Sequence, residues 1–141
     1  MTDRDAALLA LRPRVDADLE AARTEMEAFL HRTLRPVLKL QNPVVLQLVA
    51  HDLAERVPGF SGVALDDQRD RLRARLRSDT RLQRVLLGVV LGALTRRELA
   101  FALENAPEVR RRTLALLAER VTSQAEAIAS LVSRAVDGLD A

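Results

Sequence analysis

Apolar residues recur along almost the whole chain at steps of three and four, the spacing of one helix face, and prolines and glycines punctuate the pattern. Residues 86–94 depart from it, because for nine positions they hold no charged or strongly polar residue, with Arg84 and Arg96 close on either side. A helix that is apolar on every side is wrapped by other helices or by lipid. The run is about half of the roughly 20 residues that a membrane span needs, which favours wrapping by its own chain. The pattern predicts an all-α, compact helical bundle of roughly five to seven helices around a buried central helix over about 80–94, as one domain over residues 1–141.

Taken in order, Thr2 and Asp5 have the spacing of a capping box, and the short first helix should break or kink at Pro13. Val15, Leu19, Ala22, Met26 and Phe29 form an amphipathic seam. Pro36 should end that helix, and Asn42 with Pro43 should cap and start the next, which closes at Pro58. Phe60, in a loop that carries Gly59 and Gly62, reads as a plug on the core, the alternative being an exposed anchor for a partner. Asp66 and Asp79 read as caps of the two helices that follow them. Gly88 and Gly92 lie one turn apart and would let a neighbouring helix come close. Thr95 and Glu98 form a second capping box, with Leu99, Ala100 and Leu103 as the inner face of the helix that it opens. A long amphipathic C-terminal helix starts near Ala106. At about 1.5 Å per residue it is longer than a domain of this size is wide, unless it breaks near Thr122 and Ser123. If unbroken, it projects and needs a partner, most simply a second copy.

Composition narrows the function classes. Aromatic residues are 2%, which disfavours sites that stack on rings, and there is no Cys, which removes disulfides and thiolate chemistry. The 22 basic residues, all Arg but Lys39, face 20 acidic ones, so a net charge of +2 gives no strong pull on polyanions. Heavy use of Arg over Lys suits GC-rich bacterial coding. The acidic opening Thr2-Asp3-Arg4-Asp5 is unlike a signal peptide, so the chain reads as cytoplasmic, with no membrane partner.

Candidate chemistry is sparse. Glu27 with His31, and His51 with Glu55, each sit one helical turn apart and could share a metal, against the plainer reading of surface ion pairs. No phosphate loop, serine elbow or zinc-protease motif occurs, and no cofactor is implied. Between Asp66 and Arg84 lie seven Arg and four Asp, with Arg69, Arg73 and Arg77 on one ridge that could grip phosphates or simply be solvated.

The run Thr95-x-x-Glu98-Leu99-Ala100-x-x-Leu103, followed by Pro107-Glu108-Val109-Arg110-Arg111-Arg112, resembles the helix-turn-helix of bacterial DNA-binding regulators. The resemblance implies a recognition helix from Ala106 onward, with Arg110, Arg111 and Arg112 near phosphates or bases. Three positions depart from the family pattern: Glu104 stands where Gly is favoured, Asn105 where an apolar residue follows, and Val109 comes one position early. The plainer reading is two bundle helices joined by a tight turn. The expectation is therefore a non-enzymatic interaction or regulatory module working as a homodimer or with a protein partner; a nucleic-acid-binding regulator and a small metal-binding bundle are the alternatives.

Overall fold

The computed structural model describes residues 1–14 and 22–140, and all regular structure among them is helical. α1 (Asp3–Leu11) opens on the expected capping box, with the Thr2 hydroxyl accepting from the Asp5 N–H and the Asp5 carboxylate accepting from the Thr2 N–H. α2 (Glu25–Phe29), a π-helical stretch (Leu30–Leu34) and α3 (Arg35–Arg56) then follow without a gap. A 3₁₀ turn (Phe60–Gly62), α4 (Leu65–Ser78), α5 (Thr80–Leu91), α6 (Arg96–Glu104), α7 (Ala106–Ser123) and α8 (Ala125–Asp140) complete the chain. With the rod from α2 through α3 taken as one, the described chain forms seven helices, as the apolar spacing predicts. No helix among the described residues is long and apolar enough to cross a membrane.

Contacts gather the chain into two units, residues 1–42 with 87–113 and residues 43–86 with 114–141. The first unit buries Met26, Phe29, Leu30, Leu34, Val37, Leu38, Val90, Leu94, Ala102 and Val109. Met26 and Phe29 of the expected seam are buried, but Thr24, in extended conformation, caps a helix that starts only at Glu25, so Ala22 is not on it; Val15 and Leu19 lie outside the described residues. In the second unit, α8 lays Ala125, Ile128 and Val132 against α4 and the 3₁₀ turn. Phe60 is 1% exposed and plugs this unit's core. Gly59, at φ 76°, supplies the left-handed residue that turns the chain into it.

Several local expectations are corrected. Pro36 does not end a helix: the π-helical stretch widens the turn ahead of it, and the Arg35 N–H reaches back to the Leu30 carbonyl. Asn42 and Pro43 do not start one, because Pro43 lies inside α3. Pro43 and Lys39 are both exposed, so the carbonyl that loses its N–H partner faces water. Ala64 holds the N-cap position of α4, and Asp66 lies in its first turn. α5 is buried along Leu82, Leu86 and Val90 but exposes Val85 and Gly88, and a Cβ built on Gly88 meets nothing within 4 Å. The C-terminal segment breaks at Gln124, where the Ser123 hydroxyl turns back to the Arg120 carbonyl and the Gln124 N–H to the Val121 carbonyl. These local bonds compete with the helix. α7 and α8 are therefore two helices of ordinary length, and the length argument for a second copy no longer applies.

Candidate functional site

The functional geometry of the first unit grows from the elbow between α5 and α6. The end of α5 leaves its last carbonyls without helical partners, and the start of α6 leaves N–H groups in the same position. α1 supplies both. Arg4 donates to the carbonyls of Gly92 at 2.8 Å and Leu94 at 3.0 Å, and Arg12 donates to that of Ala93 at 3.0 Å. The Asp5 carboxylate accepts from the Arg96 N–H at 3.1 Å. Cations thus meet the negative end of one helix dipole and a carboxylate meets the positive end of the next.

Glu98 is the hub. It caps its own helix through the Thr95 N–H at 2.8 Å, receives a bidentate Arg12 at 2.5 and 2.6 Å, and accepts from the Thr33 hydroxyl at 3.2 Å. Burial would push its carboxyl up, but the Arg12 hydrogen bonds and charge, with Thr95, outweigh that and hold it below the ordinary range. Burial opposes the same lowering at Asp5, where the backbone N–H groups of Arg96 and Thr2 prevail. Because Glu98 is drawn inward, the inner face of α6 carries Glu98 and Ala102. Leu103 is 63% exposed and Ala100 is exposed, which corrects the face assigned from apolar spacing.

Two clefts flank this hub. One, of about 440 Å³, is lined by Glu25, Ala28, Phe29, Arg32, Thr33, Arg97, Glu98 and Phe101. Its apolar wall is the Phe29–Phe101 pair, with ring centroids 4.7 Å apart. The other, of about 740 Å³, is lined by Met1, Thr2, Asp5, Leu9, Thr95, Arg96, Arg97 and Glu98. Arg32, Arg96 and Arg97 are exposed and have no acidic partner among the described residues. Arg32 and Thr33 come from the π-helical stretch, a rare geometry that recurs at functional sites.

Comparison with known proteins adds nothing to this geometry: no protein family, curated protein or solved structure matches the chain.

Of the residues singled out for metal, the structure brings His51 and Glu55 together. Glu27 and His31 lie in the first unit, His51 and Glu55 in the second. The Glu27 carboxylate accepts from the Arg23 N–H at 2.7 Å, and His31 lies within the π-helical stretch. His51 Nε2 lies 3.2 Å from Glu55 in an exposed pair. No group of three or more His, Cys, Asp or Glu among the described residues could hold a metal ion.

The arginines proposed for nucleic acid are mostly engaged. Arg69 pairs with Asp66 and Arg73 with Asp70, and both line a cleft whose other wall, with Glu119, is the C-terminal, negative end of α7. Arg111 and Arg112 reach Glu108, while Arg77 and Arg110 are exposed. α6 and α7 are joined through Asn105 alone, shorter than the roughly three or four residues of a helix-turn-helix. In the second unit the half-buried Arg75 binds the buried Asp52 at 3.0 and 3.1 Å and also Asp79. Asp79 in turn caps α5 through the Leu82 N–H, as expected from its position. The Leu82 N–H lowers the Asp79 carboxyl most, against burial and with help from Arg75.

Sequence reasoning found Glu98 by its cap but missed Arg12, Arg32, Thr33 and Arg97. The capping box was a usable signal for one residue; the Arg12–Glu98 contact joins residues 86 positions apart.

Proposed function

We propose that the protein acts by binding another polypeptide, as a helical interaction or regulatory module, through the clefts beside α6. The observation that carries this reading is the pair of exposed guanidinia, Arg32 and Arg97, set over the apolar Phe29–Phe101 wall without an acidic partner among the described residues. Cationic groups left uncompensated around an apolar cleft are suited to a partner that supplies both charge and apolar side chains. The carboxylates with lowered pKa support binding over chemistry, because Asp5, Asp79 and Glu98 are each engaged at a helix N-terminus.

A photo-crosslinking side chain at Ala100, exposed on α6, tests this in cells of the source, with Arg71, exposed on α4, as the control position. The reading predicts discrete adducts from position 100 that disappear on Arg97→Glu, and none from position 71. An adduct of twice the chain's mass would make the partner a second copy, the homodimer anticipated from sequence. Absence of adducts from position 100, or the same adducts from both positions, would contradict docking at α6.

A further inference from the structure

Resting on that docking reading, we infer that the segment bound at α6 is an acidic amphipathic helix. The charges already on the site point this way. Glu98 is neutralised by Arg12, and Asp5 pairs with Arg4 at 3.6 Å while also accepting from the Arg96 N–H. What is left around the two clefts is Arg32, Arg96 and Arg97 against one exposed carboxylate, Glu25. Opposite charges across an interface set partner choice and orientation, so carboxylates on the partner are the complement.

The apolar surface gives the second half of the description. The clefts share Arg97 and Glu98, so they adjoin along the first turns of α6, one walled by Phe29 and Phe101, the other by Met1 and Leu9. Met1 is 90% and Leu9 43% exposed. An apolar path flanked by arginines accepts side chains at helical spacing, with carboxylates on their flanks. All regular structure among the described residues is helical, so the site offers no strand edge for an extended peptide. Phe29 and Phe101 pack on each other at 39°, a wall for aliphatic side chains rather than a flat platform for bases.

Titration of the whole protein with three labelled helical peptides of about 18 residues tests this. One carries a leucine stripe flanked by Glu, the second replaces Glu with Lys, and the third scrambles the first. Saturable binding of the first alone is expected, weakened roughly fivefold to tenfold by Arg32→Glu or Arg97→Glu and unchanged by Arg71→Glu. Circular dichroism of each variant checks that the fold is kept. Equal binding of the Lys peptide would overturn the acidic partner while leaving docking at α6 intact. Equal binding of the scrambled peptide, no saturation with the first, or its displacement by random duplex DNA would also overturn the inference. Docking itself stands or falls separately, on the crosslinks from position 100.

Discussion

Glu98 shows how far a single side chain can be read from its neighbours. Its capping role is legible because the partner, Thr95, is three positions away and the pairing depends only on local backbone geometry. Its union with Arg12 and Thr33 is not, because those contacts exist only after distant helices meet. The Arg12 and Glu98 side chains are 8% and 18% exposed, whereas those of Arg73 and Asp70 are 55% and 75% exposed, and exposure decides what each pair is worth. Water screens the second pair to about 0.3 kcal/mol, while the first keeps most of its attraction. A double-mutant cycle over Arg12→Ala and Glu98→Ala should give a coupling of about 2 kcal/mol in urea unfolding, and the cycle over Arg73→Ala and Asp70→Ala about 0.3 kcal/mol. Equal couplings would show that Glu98 is no hub.

Helices were legible as kinds and less so in their limits. Both capping boxes, the cap at Asp79 and the stop after Leu11 follow from local chemistry and are present. The prolines misled, because a proline inside a helix is tolerated when its orphaned carbonyl faces solvent, as at Pro43, or when a π-helical turn precedes it, as at Pro36. Burial, not sequence, decides which case holds. Replacing the exposed Pro43 by Ala restores one N–H to α3, partly offset by the freer unfolded chain, and should raise stability by about 1–2 kcal/mol. An unchanged or lower urea midpoint would mean that α3 cannot use that hydrogen bond. The face of α6 was misassigned for a related reason. Its inner face joins Ala102 to a charged residue, Glu98, which a search for apolar spacing passes over.

The all-helical class was readable from periodicity, whereas the grouping into two units was not, because α3, α5 and α7 each run through both and no composition change marks the division. Carboxylates at helix starts couple the folded state to pH. The carboxyls of Asp5, Asp79 and Glu98 titrate lower when folded than when unfolded. Between those values the unfolded chain binds more protons, so stability is present above the unfolded carboxyl range, about 4, and is lost as pH falls through the folded values. The urea midpoint should drop between pH 5 and pH 3, and drop less in Glu98→Gln; an equal drop in that variant would remove Glu98 from the account. Docking beside α6 is best located by amide hydrogen exchange of the whole protein with and without the acidic amphipathic peptide. Slower exchange confined to residues 1–9, 25–34 and 96–103 is the predicted result. Slowing confined to α4, or none at saturating peptide, would contradict it.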